Sequence, residues 1–84
     1  MQKEDLKVGK LYRLKKLGMQ FWEWNHPFEV TVVVKAEEIV IFLGVRKHPT
    51  FSTPWYDFLG PHGMIVGRCM TAALIEENLE PCKT

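Results

Sequence analysis

The sequence of 84 residues has few cysteines and no long apolar run. Its two cysteines, Cys69 and Cys82, are too few for the disulfide framework of a small secreted domain, so we expect free thiols in a reducing compartment. The longest strongly apolar run, 39–45, is far shorter than the roughly 20 residues of a membrane helix. The charged start MQKEDLKVGK lacks the apolar core of a signal peptide. These absences predict a soluble, cytoplasmic protein.

Motifs of catalysis and cofactor binding are also absent from the sequence. The glycines form neither GxGxxG nor GxxxxGK, which argues against nucleotide chemistry. His26, His48 and His62 each neighbour a proline, but no pair of histidines or cysteines has the spacing of zinc ligands. We therefore expect no metal, no cofactor and no His/Cys nucleophile, and we predict that the protein is not an enzyme.

Charge of one sign is not in large excess, because the net charge is only +1. A strong electrostatic footprint for nucleic acid is therefore not evident. Several basic residues near aromatic rings nevertheless form a possible patch for phosphates and bases: Arg13, Lys15, Lys16, Arg46 and Lys47, with Arg68 as a sixth such residue. Scattered charges are more often a solvated surface, so RNA or DNA binding is kept as the alternative function.

What the sequence does contain is a series of short strand patterns. In 28–36, Phe28, Val30, Val32, Val34 and Ala36 alternate with polar residues, as in a half-buried strand. The β-branched run 39–45 predicts a central strand, paired with 28–36 as a hairpin. Further strands are predicted at 9–15, 55–59, 64–69 and 78–82. Gly60-Pro-His-Gly63 predicts a tight turn, and Thr71 is expected to cap a single helical or 3-10 turn ending at 78.

The pattern as a whole predicts one all-β domain over residues 1–84, a small barrel of five to six antiparallel strands with one short helical or 3-10 turn near the C-terminus. Residues 17–27 and 46–54 remain as long loops. The predicted core consists of Tyr12, Leu14, Val30, Val32, Val34, Ile39, Ile41, Leu43, Phe58, Ile65 and Val66. The residues expected to be exposed are Glu29, Thr31, Lys35, Glu37 and Glu38.

Several of these segments resemble SH3-like small barrels, including short uncharacterised proteins of phages. The similar segments are VGKLYRL at 8–14, a strand ending in FLG at 42–44, a strand starting at Trp55, a turn glycine followed by the Ile65 strand, and a late helical turn. SH3-like barrels bind peptides, proteins, RNA or DNA, so the resemblance implies a fold more than one function. It also implies that loops 17–27 and 46–54 lie side by side along a ligand groove.

These two loops carry the aromatic residues of the predicted binding site. The candidate residues are Trp22, Trp24, His48, Phe51, Trp55 and Tyr56. Rigid aromatic rings in loops give a large contact area at low entropy cost, although Trp55 is also suited to the core, and Tyr56 is expected to face outward. We expect the protein to bind a protein partner or a small polar ligand, to form a homo-oligomer if its surface allows, and to act as a phage or mobile-element accessory or inhibitor protein.

Overall fold

The computed structural model describes residues 6–15, 18–25, 29–47 and 52–82. These residues form one antiparallel sheet in the order β3-β2-β6-β5-β4-β1-β7, curled into a half-barrel, with one short helix and a 3-10 turn. The prediction of a mostly antiparallel β fold is confirmed, but the expected count of five to six strands is wrong. The strands are β1 (Leu11–Leu14), β2 (Met19–Glu23), β3 (Thr31–Val34), β4 (Ile39–Arg46), β5 (Trp55–Leu59), β6 (Ile65–Cys69) and β7 (Leu79–Pro81).

The C-terminal helix α1 (Ala72–Asn78) begins where its capping residue predicts. The Thr71 hydroxyl accepts the Leu74 N–H at 3.2 Å, which satisfies one of the N–H groups that lack a partner within the helix. Ile75 is fully buried and anchors the helix on the core. The strand β7 follows directly, as expected, and the predicted β5–β6 hairpin is also present around the 3-10 turn Pro61–Gly63.

The predicted hairpin of 28–36 with 39–45 is wrong, because β3 pairs with β2 while β4 pairs with β1 and β5. The turn between β3 and β4 is held by β1 instead. Glu37 donates its N–H to the Leu14 carbonyl at 2.9 Å, and Leu14 donates to the Glu38 carbonyl at 3.0 Å. These bonds align β4 with β1 and direct it away from β3.

The core lies on the concave face of the sheet, which we call the inner face, and α1 packs against it. Its members from every strand and the helix are Tyr12, Leu14, Met19, Phe21, Val34, Val40, Phe42, Tyr56, Phe58, Val66, Met70, Ile75 and Leu79. Val32 packs against this cluster as predicted. The predicted burial is wrong for four exposed residues, Val30, Ile39, Leu43 and Ile65, and Ile41 is only half-buried.

The wrong burial predictions in β4 have one cause, which is that this strand is apolar on both faces. Val40 and Phe42 face the core, whereas Ile39 and Leu43 face outward. An apolar run without polar residues gives no sign of which face is buried. Of the residues expected to be exposed, only Glu38 is not, since it is half-buried.

Candidate functional site

Trp55 is the residue from which the candidate site is built. Its side chain is only 1% exposed, yet it is not a member of the core cluster. Its neighbours Tyr56 and Phe58 point to the inner face, so Trp55 and Asp57 point to the opposite face of the sheet, which we call the outer face. The structure therefore contains a second packed cluster on the far side of the sheet.

Gly67 of β6 provides the floor on which the Trp55 ring lies. A Cβ at residue 67 would lie 2.8 Å from the ring atom Cε2 of Trp55 and 2.8 Å from Oδ1 of Asp57. Trp22 of β2 and Asp57 of β5 are the cross-strand neighbours of Gly67. Because Gly67 has no side chain, the Trp55 indole can lie over β6, between β5 and β2.

Asp57 fixes both the tryptophan ring and an arginine above it. The Trp55 Nε1–H donates to Asp57 Oδ1 at 2.7 Å, and Arg46 Nε lies 3.2 Å from the other carboxylate oxygen. Burial raises the pKa of the Asp57 carboxyl, while the Trp55 hydrogen bond and the Arg46 charge partly oppose this shift. The carboxylate therefore serves as a bridge that orients two neighbouring side chains.

Two arginines and three tryptophans lie in contact around the Trp55 ring. The Arg46 guanidinium carbon lies 5.8 Å from the ring centres of both Trp24 and Trp55, within the range of cation–π attraction. Trp22 packs on Trp55 with ring centres 6.3 Å apart. Arg68 lies 6.0 Å from the Trp22 ring and donates to the Gln20 carbonyl at 3.0 Å. We call Trp22, Trp24, Arg46, Trp55 and Arg68, together with Asp57, the tryptophan–arginine cluster.

The members of the cluster differ in their accessibility. Trp55 is enclosed and Trp22 is half-buried, whereas Trp24 is 45% exposed and the Arg46 side chain is 49% exposed. Burial also lowers the pKa of the Arg68 guanidinium. The cluster thus consists of a fixed base with an exposed ring and an exposed cation on top of it.

An apolar row borders the cluster on the outer face. Cross-strand register aligns one residue from each of four strands: Leu11, Ile41, Leu59 and Ile65. Leu11 and Ile65 are exposed, and the other two are half-buried. The backbone N–H of Trp24 donates to the Ile65 carbonyl at 3.0 Å, which brings the row and the cluster together. We call these four residues the outer apolar row.

The predicted site residues separate into three groups. Trp22, Trp24 and Trp55 come together, as the placement of the two loops predicts. Tyr56 was expected to face outward, but this is wrong because it is 4% exposed and packs against Phe42 in the core, with ring centres 6.1 Å apart. His48 and Phe51 lie outside the described residues.

The described members of the possible basic patch lie at two separate places. Arg13 is paired with Glu37 at 3.5 Å and with Glu80 at 3.2 Å. Lys15 donates to the Glu76 carbonyl at 2.8 Å, near the end of α1. Arg13 pairs with Ile39 at the start of β4, whereas Arg46 and the exposed Lys47 lie at its end. The two places are roughly 20 Å apart along the strand. Lys16 lies outside the described residues.

Sequence reasoning missed three features of this surface. Gly67 was not recognised, although a glycine inside a strand often marks a close approach of another group. Arg68 is named among the basic residues near aromatic rings, but no local signal predicts its contact with Trp22. The outer apolar row depends on the pairing of four strands, which no local pattern gives.

Among the described residues, no three His, Cys, Asp or Glu side chains are grouped to hold a metal ion, and no helix is long and apolar enough to cross a membrane. Cys69 and Cys82 are free thiols and half-buried, and burial raises the pKa of Cys69.

Comparison with known proteins gives no relative on which to base the function. No family model, curated protein or solved structure matches the chain.

Proposed function

We propose that this protein is a binding module without catalytic activity that engages a protein partner through the tryptophan–arginine cluster and the outer apolar row. The observation that carries the proposal is Arg46, held between the rings of Trp24 and Trp55 while Trp24 and Arg46 stay accessible. Tryptophan and arginine dominate the binding energy of many protein interfaces. Side chains that are already oriented lose less entropy when a partner binds.

The charges of the cluster suggest the chemistry of the partner surface. Arg46, Lys47 and Arg68 bring three positive charges to this region, and Asp57 compensates one of them. We therefore expect a partner that presents carboxylates beside apolar side chains, the latter in contact with the outer apolar row.

The shape of the surface favours a macromolecule over a small polar ligand. A groove of about 370 Å³ lies beside β1 and β7, and Leu11 of the outer apolar row lines it together with Lys7, Lys10, Tyr12 and Cys82. None of the described tryptophans lines that groove. The cluster itself is an open face, which suits contact over a broad area.

Affinity measurements on matched variants test this proposal. A partner captured by the immobilised protein from source cells would be purified, and its affinity measured by titration calorimetry. Trp24→Ala is expected to weaken binding by about fivefold or more, because interface tryptophans usually contribute more than about 1 kcal/mol. Its melting temperature should change little, since the residue is exposed.

Arg13→Ala is the matched control, because it removes a half-buried cation that lies outside the cluster. It should leave the affinity unchanged. Equal affinity of the wild type and Trp24→Ala for every captured partner would contradict the proposal.

Single-stranded RNA or DNA is the second candidate ligand, because exposed tryptophan and arginine side chains can stack on bases. Against it, Arg13 and Arg46 already face carboxylates, which reduces the positive potential. Fluorescence anisotropy with labelled single-stranded oligonucleotides at low salt distinguishes the two candidates. Binding that weakens steeply with added salt would favour nucleic acid.

For the fold, we propose a variant of the SH3-like barrel. The antiparallel sheet and the short helix near the C-terminus support this assignment. The seventh strand and the sheet that ends at β3 and β7 without closing are departures from an SH3-like barrel.

A further inference from the structure

The two edge strands of the sheet, β3 and β7, differ in how they are protected from pairing. β7 has three residues and ends in Pro81, which has no N–H to donate, and its Glu80 is bound to Arg13 at 3.2 Å. Proline and charge are common means of protecting an edge strand. β3 has the sequence TVVV, without either feature, and its Val33 is 60% exposed. The edge at β3 is therefore suited to pairing with another strand.

The hydrogen bonding between β2 and β3 shows which backbone groups of β3 point outward. Glu23 donates its N–H to the Val30 carbonyl at 2.8 Å, so this pair is a hydrogen-bonded one. Hydrogen-bonded and non-hydrogen-bonded pairs alternate along an antiparallel ladder. The N–H and C=O groups of Thr31 and Val33 must then point away from β2, toward the free edge.

We propose that β3 pairs with β3 of a second copy of this chain, antiparallel and around a two-fold axis at Val32. In this register Thr31 is opposite Val33 of the second copy, and the two-fold axis repeats the same pair. Each pair exchanges two N–H···O bonds. The inference depends on β3 alone and is independent of the proposed function.

Several registers would let the outward N–H and C=O groups of Thr31 and Val33 form hydrogen bonds with a second β3. Charge complementarity selects the register centred on Val32. Glu29 and Lys35 flank β3 and are equally far from Val32 in sequence. Continuing the register past both ends of β3 places Glu29 opposite Lys35 of the second copy, twice. A shift by two residues places Glu29 opposite Val33 in one direction and Lys35 opposite Thr31 in the other, and either shift loses both charge pairs. Both side chains are exposed, and neither forms an ion pair with another residue that the structure describes.

The free edge of β3 borders a groove of about 170 Å³ along Val32 and Val33, with Pro61 and Met64 of the β5–β6 turn on its far side. A second strand has to enter between β3 and this turn. The backbone ladder would end at Lys35, because its N–H already donates to the Glu38 carboxylate at 2.7 Å. The new pairing therefore covers the outward groups of Thr31 and Val33, and the charge pairs flank it.

Pairing around this axis also determines how the two outer faces are arranged. Residues directly opposite each other in an antiparallel pair lie on the same face. Thr31 is a cross-strand neighbour of Trp22 on the outer face. The two copies would thus present their tryptophan–arginine clusters on one continuous surface, with their β2 strands about 14 Å apart.

Sedimentation equilibrium of the full chain with charge-reversal variants tests the proposal. The wild type is expected to show a dimer of twice the 9.8 kDa monomer mass. Glu29→Lys and Lys35→Glu should each weaken self-association about tenfold at low salt, because each replaces two attractive pairs with two repulsive ones. The double variant, with both reversals in one chain, should restore the wild-type dissociation constant.

Mixing the two single variants gives the most specific readout. A chain with Glu29→Lys and a chain with Lys35→Glu have complementary charges at both ends, so an equimolar mixture should form a heterodimer. Circular dichroism of each variant serves as the folding control.

Three outcomes would overturn the proposal. The first is a wild type that stays monomeric up to millimolar concentration. The second is a dimer that is insensitive to the reversals, which would indicate a different interface. The third is a monomer whose β3 edge binds only extended peptides of another protein, detected by amide exchange at Thr31 and Val33.

Discussion

Replacement of Gly67 by alanine is the most direct test of the second cluster on the outer face. The new Cβ would lie 2.8 Å from Cε2 of Trp55, still closer to the ring Nε1, and 2.8 Å from Oδ1 of Asp57, so the ring has to tilt or the strand has to move. Overpacking of this kind costs about 1–3 kcal/mol. Loss of the 2.7 Å hydrogen bond between Trp55 and Asp57 adds about 1 kcal/mol. We expect the free energy of unfolding to fall by about 2–4 kcal/mol.

Thermal unfolding followed by circular dichroism measures this loss. In a domain of this size, 1 kcal/mol shifts the melting temperature by about 4–8 °C, so Gly67→Ala should melt about 8–32 °C lower. Gly60→Ala is the matched control, because Gly60 has φ −91° and ψ −171° and its added Cβ meets no atom closer than 3.4 Å. If both variants melt within a few degrees of the wild type, Trp55 does not depend on Gly67 and our account of the cluster fails.

Two further predictions test the face of β4 and the environment of Asp57. Phe42→Ala should lower the free energy of unfolding by about 3–5 kcal/mol because the ring is buried, whereas the neighbouring Leu43→Ala should cost less than about 1 kcal/mol; comparable losses in chemical denaturation would refute this orientation of the strand. Because burial raises the folded-state pKa of Asp57, the stability of the wild type relative to Asp57→Asn should decrease as the pH rises through that pKa, and an NMR titration midpoint of the carboxyl below 3.8 would contradict the expected shift.

Segments whose structure depends on residues close together in sequence were predictable. The residues of β5 and β6, the turn between them and the cap at Thr71 all follow from local signals, namely strand alternation, a glycine–proline turn and a hydroxyl that accepts a backbone N–H. These elements agree with the structure because each is stabilised by contacts between residues close together in sequence.

β2 was missed although its sequence has the required alternation. Met19 and Phe21 face the core, while Gln20 is exposed and Trp22 lies on the outer face. Trp22 and Trp24 lie in the predicted loop 17–27, and their rings favour a binding loop over a strand there, which is wrong. β2 has no aliphatic run, and its pairing with β3 and β6 defines it as a strand. β6 is distant in sequence, and β3 follows only after the segment 24–30.

The composition of the candidate site was partly predictable, but its geometry was not. The tryptophans mark the region, and Trp24 and Arg46 belong to the two loops that the resemblance places together. The order of the strands, however, decides that Trp22 meets Gly67 and that Arg46 meets Asp57. Each of these contacts joins strands whose partners are chosen by the whole sheet.

A β-bulge in β4 determines that Arg46 reaches the outer face. Val40 and Phe42 point inward, so strict alternation would also turn residues 44 and 46 toward the core. The register between β4 and β5 shifts between Phe42 and Gly44, which leaves Leu43 as the extra residue and places Arg46 opposite Trp55. Without this extra residue, Val45 would be opposite Trp55 and the guanidinium would be directed to the inner face. The bulge therefore links the fold to the proposed function, because it brings the cation between the two tryptophan rings.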